Sequence, residues 1–246
     1  MRVKVLQWNI WYKENPKNVL ALLSELRPDI ICLQELAVGY HEKYPHPERF
    51  LARELGYEYF AKEANPHSEG GGMYTMQNAI YSRFPIRKTY SCHVREPGED
   101  ITDYSKQGRI YVEADIKLPD RTITAGTTHL SYLHEFHITE EKRAEVDRLL
   151  EITQSKKGDY ILTGDLNSLP DSCTVHELGT HLMSCGPTFE EKTWTTKPFD
   201  YQGFKADSLD FRLDYVFSTP DVKCISSEIV QTEYSDHLPI LATFEV

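Results

Sequence analysis

The opening of the chain alternates so regularly between extended and helical character that few arrangements remain open to it. Residues 2–10 are rich in β-formers and read as a strand. Asn15-Pro16 then supplies a helix start with proline in the first turn, and Val19, Leu20, Leu22, Leu23 and Leu26 recur at helical spacing. Arg27-Pro28 stops that helix, because the residue before a proline is pushed out of the α region. Residues 29–33 form a short, nearly all-apolar run of the kind expected of a strand buried on both faces. The order is strand, helix, strand.

A second helix is expected over residues 47–55, and residues 63–77, with Gly70-Gly71-Gly72 and two methionines, read as a mobile surface loop. Strand-like runs follow at 78–83, 86–94, 109–118 and 122–129. The first pair is joined at Phe84-Pro85 and the last at Pro119-Asp120, which predicts an antiparallel meander. Residues 140–154 make a charged amphipathic helix with Val146, Leu149, Leu150 and Ile152 inward, and 160–163, 213–218 and 238–245 are further strands. Helices interspersed among strands, with both parallel-type and hairpin-type connections, predict an α/β chain of mixed sheets packed in layers. With no seam and no repeat of fixed period, residues 1–246 are expected to be one domain.

Charge limits the partners. Twenty-seven Lys and Arg against 38 Asp and Glu give a net charge of -11, the wrong sign for a protein that grips nucleic acid chiefly through its phosphates. The five cysteines, Cys32, Cys92, Cys173, Cys185 and Cys224, are widely spaced without a CxxC, so neither a disulfide framework nor a thiolate zinc site is indicated. Lys4, Gln7 and Asn9 interrupt the apolar positions of the first ten residues, and no run of 18 apolar residues occurs. A soluble cytoplasmic monomer is expected, without stable membrane insertion and with no protein partner indicated.

Polar residues collect where the strands end. Asn9 stands near the end of the first strand, Glu35 just past the second, His129 at the end of the meander, and Asp165 and Asn167 after another, so one rim could hold them all. In Gly164-Asp165-Leu166-Asn167 the glycine permits a sharp turn, and the i, i+2 spacing can point a carboxylate and an amide into one cleft. A plain turn has the same composition. Ser235-Asp236-His237 offers a hard oxygen ligand beside an imidazole, or else a strand cap beside a surface histidine. Glu35 closes an apolar strand, where a charge must be paired, solvated or metal-bound.

Taken in order, the segments say more than any one of them. Leu6-Gln7-Trp8-Asn9, Pro28-Asp29-Ile30-Ile31-Cys32-Leu33-Gln34-Glu35, Asn78-Ala79-Ile80-Tyr81-Ser82-Arg83, Thr127-Thr128-His129-Leu130, Gly164-Asp165-Leu166-Asn167, Arg212-Leu213-Asp214-Tyr215 and Ser235-Asp236-His237-Leu238-Pro239 together resemble the endonuclease/exonuclease/phosphatase family over essentially the whole chain. The resemblance implies a four-layer α/β sandwich, two mixed β-sheets face to face with helices outside. It implies Mg2+, or Mn2+ in its place, held by Glu35 with Asn9 and Asp236 close to the ion or its waters. Asp165 would deprotonate an attacking water, Asn167 would position it, His129 and His237 would donate to phosphate oxygens, and Asp214 would pair with His237.

The reading that follows is a metal-dependent phosphodiesterase or nuclease, its substrate a phosphoester such as DNA or RNA. The alternatives are a phosphomonoesterase acting on a small or lipid-linked phosphate and an inactive binding module. Against a DNA substrate stand the negative charge and a loop, Asp165-Leu166-Asn167-Ser168-Leu169, without the basic residue that follows in the tyrosyl-DNA phosphodiesterase members. Arg109 is a candidate phosphate contact or a surface ion pair. Asn78, Tyr74 and Trp194 are candidate substrate contacts, and Tyr104 and Tyr201 further aromatics bordering a cleft. His129, His134 and His137 fall close together, but their spacing matches no zinc motif, and exposed His134 and His137 explain the cluster better.

Overall fold

The computed structural model describes residues 1–69, 72–100 and 106–246. The strand, helix, strand opening is β1 (Arg2–Asn9), α1 (Pro16–Leu26) and β2 (Ile30–Val38), with β1 and β2 parallel from Val5↔Ile30 to Asn9↔Gln34. Asn15 caps α1 by accepting from Lys17 N at 3.0 Å, and Arg27, in the left-handed region at φ 48°, ends it. After α2 (Pro47–Leu55), β3 (Glu58–Glu69) and β4 (Gly72–Ser82) pair antiparallel along their length. The expected loop over residues 63–77 is therefore mostly paired strand. Met73, Tyr74, Thr75 and Met76 lie opposite Ser68, His67, Pro66 and Asn65, and backbone pairing outweighs the glycines that made this stretch read as a loop. Gly70 and Gly71 lie outside the described residues.

Then come β5 (Ile86–Arg95), β6 (Arg109–Lys117), β7 (Thr122–His129), α3 (Glu140–Gln154), β8 (Tyr160–Asp165), α4 (Cys173–Leu178) and β9 (Met183–Ser184). A small hairpin, β10 (Phe199–Tyr201) and β11 (Phe204–Ala206), precedes β12 (Asp214–Ser218), β13 (Lys223–Ile229) and β14 (Ile240–Glu245). One six-stranded sheet has the order β13-β14-β1-β2-β4-β3 and the other β5-β6-β7-β8-β12-β9. The expected four-strand meander is thus divided: β5, β6 and β7 form one, but β4 belongs to the first sheet. Phe84-Pro85 carries the chain between stacked sheets instead of turning a hairpin. Two strands joined across layers leave the same short connection in the sequence as two that pair.

Alternation within the strands builds the layers. Val3, Val5, Ile30, Cys32, Ile80, Ala242 and Phe244 meet Ile110, Val112, Ala114, Ile123, Ala125, Ile161 and Val216 between the sheets. The opposite face of the first sheet, with Leu6, Trp8, Ile31 and Leu33, is covered by Val19, Leu22 and Leu23 of α1 and Leu51 of α2. That of the second, with Tyr160, Leu162, Tyr215 and Phe217, is covered by α3 and α4 through Val146, Leu149, Leu150, Val175 and Leu178. The result is the four-layer sandwich, helices outside two mixed sheets.

Each sheet contains one parallel pair spanned by a helix, β1/β2 with α1 and β7/β8 with α3. Their carboxyl ends lie along one rim. The antiparallel neighbours β12 and β14 begin there, since Asp214 faces Asp165 and Ile240 faces Gln7. Strand ends from β1, β2, β7 and β8 and strand starts from β12 and β14 therefore share one edge of the sandwich.

Candidate active site

Inward alternation along β1 passes from Val3 and Val5 to Gln7 and Asn9, so the same face that is apolar in the core becomes polar at the rim. Asn9 Nδ2 lies 3.0 Å from both Glu35 Oε1 and Asp165 Oδ2, joining the two sheets across the cleft floor, and Asn9 Oδ1 accepts from Trp11 N at 3.1 Å. Glu35 sits at a break in the β2/β4 register with φ 62°, a left-handed conformation that turns its carboxylate out of the strand alternation. Tyr12 N donates to Glu35 Oε2 at 3.1 Å.

On the second sheet, Gly164 lies where a Cβ would overlap the Thr128 carbonyl oxygen, so only glycine lets β7 and β8 close up beneath Asp165. Asn167, at φ 44°, donates its N–H to Asp165 Oδ1 at 2.9 Å, and its side-chain amide meets His129 Nε2 at 3.1 Å and Leu130 O at 3.0 Å. Asp165 Oδ2 is 3.5 Å from His129 Nε2 and 3.6 Å from His237 Nε2. Asp214, at the start of β12, holds His237 Nδ1 at 2.8 Å. Its other oxygen accepts from Gln7 Nε2 at 2.9 Å.

Gln7 and Gln34 exchange amide bonds at 2.8 Å, and Gln34 Nε2 also reaches Thr127 Oγ1 at 2.8 Å. This buried polar layer carries the Asp214–His237 pair on a continuous set of bonds between the sheets. Gln7 and Gln34 have no role in the motifs that contain them, although a glutamine in phase with Val3 and Val5 signals a polar layer at the end of an inward-facing stripe. His237 is also fixed through its backbone, its carbonyl accepting from Trp8 Nε1 at 3.0 Å and its N–H donating to Ser235 Oγ at 3.0 Å.

The electrostatics divide the two histidines. Burial alone would lower His237, but Asp214, Asp165 and Asp236 together lift it well above the ordinary histidine range, so it is a charged donor at neutral pH. Burial, with Arg109 and His237 adding to it, holds His129 well below that range as a neutral ring. Burial pushes Asp165 up to about 6 against the pull of His237, and likewise Asp236 to about 6, with Glu35 adding repulsion.

A cation would relieve that crowding, and the donor set around Glu35 and Asp236 is hard carboxylate oxygen with an amide at hand, which fits Mg2+ and not a thiolate metal. Among the described residues, Asp165, Asp214 and His237 also bring ligand atoms within 4.8 Å of one another. There, however, His237 Nδ1 is occupied by Asp214 and the ring is charged, so that trio is a hydrogen-bonded Asp214–His237 pair with Asp165 3.6 Å beyond it.

The floor opens into a cleft of about 640 Å3 bordered by Trp11, Tyr12, Arg109, Tyr132, Phe199 and Tyr201. Arg109 lies in its wall, its Nε directed at Ser131 Oγ at 3.3 Å. Asn78 also lines it, with Nδ2 bound to Ile110 O at 2.8 Å. Trp194 also lines the cleft, packed among Phe136, Phe199 and Phe211, and its Nε1 donates to Asp236 Oδ2 at 3.3 Å, so it holds a site carboxylate. Tyr74 is not in the cleft lining. It packs against Tyr12, Tyr40 and His67, stacked beneath a residue that is. His134 borders the cleft, His137 is exposed, and Tyr104 lies outside the described residues.

The chain belongs to the endonuclease/exonuclease/phosphatase family, whose model matches residues 6–237. It is therefore built as a phosphoester hydrolase. Among solved structures it is similar to an endonuclease/exonuclease/phosphatase from Beutenbergia cavernae (TM-score 0.76, 17% identity, covering 100% of this chain and 72% of that one). It is similar also to a mannosyl-6-phosphatase of Bacteroides thetaiotaomicron (TM-score 0.71, 15% identity, 99% and 100% covered). A third is D. rerio TDP2 complexed with a single-strand DNA product (TM-score 0.68, 17% identity, 100% and 99% covered). At these identities the likeness is one of fold. No curated protein matches by sequence.

Proposed function

We propose that this protein is a Mg2+-dependent phosphodiesterase in which Asp165 activates the attacking water. The observation that carries the reading is the buried Asp165 carboxylate, its Oδ1 accepting from Asn167 N and its Oδ2 accepting from Asn9 Nδ2 while also facing two imidazoles. A carboxylate raised towards neutrality by burial is a better proton acceptor than a solvated one. Water oxygen bonds to phosphorus as the opposite ester P–O bond breaks. The water proton passes to Asp165 Oδ2, and the leaving oxygen departs with the bonding pair and is protonated by solvent.

His237, charged and braced by Asp214, donates from Nε2 to a non-bridging oxygen as negative charge grows there. His129 is neutral and accepts at Nε2 from Asn167, so in this state it holds the amide that orients the water. Glu35 and Asp236, with Asn9 between carboxylates, would hold Mg2+, which when bound neutralises charge on the phosphate. Arg109 is placed to add a second positive group from the cleft wall. A phosphomonoesterase reading shares every one of these residues.

The test is hydrolysis of a generic diester, a generic monoester, abasic-site DNA, 5′-tyrosyl DNA and sphingomyelin, each with Mg2+ and with chelator. We expect chelator-sensitive turnover of the diester, falling roughly 100-fold or more in Asp165→Asn. Unchanged turnover in that variant would overturn the mechanism, and turnover of the monoester alone would replace the diester reading.

A further inference from the structure

Behind the loops that carry the site, the start of α3 holds a buried charged cluster. Lys142 is 1% exposed, and its Nζ donates to Ser131 O and to Leu166 O, both at 2.7 Å. Ser131 follows the end of β7 by two residues and Leu166 follows β8 directly, so one ammonium ties together the two segments that leave the parallel pair. One turn further along, Glu145 accepts from Ser131 N at 2.9 Å and Ser131 Oγ at 2.5 Å. Arg95 Nη1 reaches that carboxylate at 3.3 Å and Ser131 Oγ at 3.0 Å.

A buried ammonium bonded to carbonyl oxygens is a poor source of stability. Burial pulls Lys142 down to about 7 in spite of Glu145 and Asp165, and a methionine of similar reach would remove the charge to be desolvated while leaving Ser131 O and Leu166 O without that donor. What Lys142 supplies is a separation. Leu166 lies between Asp165 and Asn167, Ser131 lies two residues past His129, and His129 Nε2 meets Asn167 across that gap at 3.1 Å. Leu130 N also donates to Asp165 O at 3.0 Å. The geometry points to Lys142 as a positioning residue that clamps the β7 and β8 exit loops at the spacing the Asp165, Asn167 and His129 cluster needs. Its activity readout rests on the hydrolase reading above, and its backbone readout does not.

Lys142→Met and Lys142→Gln, compared with Leu149→Ala in the apolar stripe of the same helix, test the clamp in the full chain. We expect Lys142→Met to melt near the parent's temperature at pH 7, the relieved desolvation of the ammonium offsetting the two carbonyls it leaves. Its kcat on bis(p-nitrophenyl) phosphate with Mg2+ should fall roughly 100-fold with KM little changed, as for a small misplacement of reacting groups. Exchange of the Leu130, Leu166 and Asn167 amides should quicken about tenfold while the β1 and β14 amides hold. Leu149→Ala should lose melting temperature and keep kcat. Unaltered exchange at those three amides overturns the proposal, as does a kcat loss that only tracks the unfolded fraction or failure of both Lys142 variants to fold. Should the parent protein not turn over the diester, exchange alone decides, and the hydrolase reading fails separately.

Discussion

At the scale of single residues the site is a set of titrations held apart by burial. His237 keeps its proton because three carboxylates surround it, with Asp214 first among them. Asp214→Asn should therefore lower the His237 pKa by more than one unit, read from its ring carbon shifts by NMR, and cost roughly 100-fold in kcat. Lys142 titrates the other way. Its folded pKa of about 7 lies below the ordinary lysine value of 10.5, so between them the unfolded chain binds more protons and stability rises with pH. Any stability advantage of Lys142→Met at pH 7 should shrink by about 1 kcal/mol per pH unit towards pH 9. Urea midpoints at three pH values measure this, and a constant difference would contradict the buried, depressed ammonium.

At the scale of elements, tight approach between β7 and β8 is what brings Asp165 and His129 together. Gly164→Ala would press a methyl into the Thr128 carbonyl and should cost about 3 kcal/mol, seen as a lower urea midpoint at unchanged slope. A midpoint equal to that of the parent would mean that the strands can part without loss. Elements were legible where local chemistry and tertiary role agree. The Asn15-Pro16 cap, both faces of β2 and the full span of α3 follow from sequence alone. The strand β13, with the sequence Lys-Cys-Ile-Ser-Ser-Glu-Ile, did not stand out, because an edge strand with one solvated face carries few apolar residues to announce it. The same limit hid Lys142 and Glu145. They continue the stripe of Val146 and Leu149 into the core, but charge made them read as the outer face of the helix. Asn9, Glu35, Asp165, Asn167 and His237 were legible as an ordered set, whereas the Gln7–Gln34–Asp214 layer needed the two sheets face to face to be seen.

At the scale of the molecule, the site exists only as the join between two sheets, and a ligand bridging them should bind the folded state alone. Saturating Mg2+ at about 100 times its dissociation constant should add about 2.7 kcal/mol of stability, and Glu35→Ala should abolish the shift. Calorimetry with and without the ion checks both, and an equal rise in the variant would place the ion elsewhere. The sheet order has a further consequence. The strand β14 lies between β13 and β1, pairing Arg2 with Glu245, and His237 precedes it by only a few residues. During synthesis β1 can pair with β2 early, but its other edge stays open until β14 is made, and the dyad of Asp214 and His237 needs residue 237 to be present. The site is thus closed by a late, long-range pairing, and a chain cut short of residue 237 lacks the dyad.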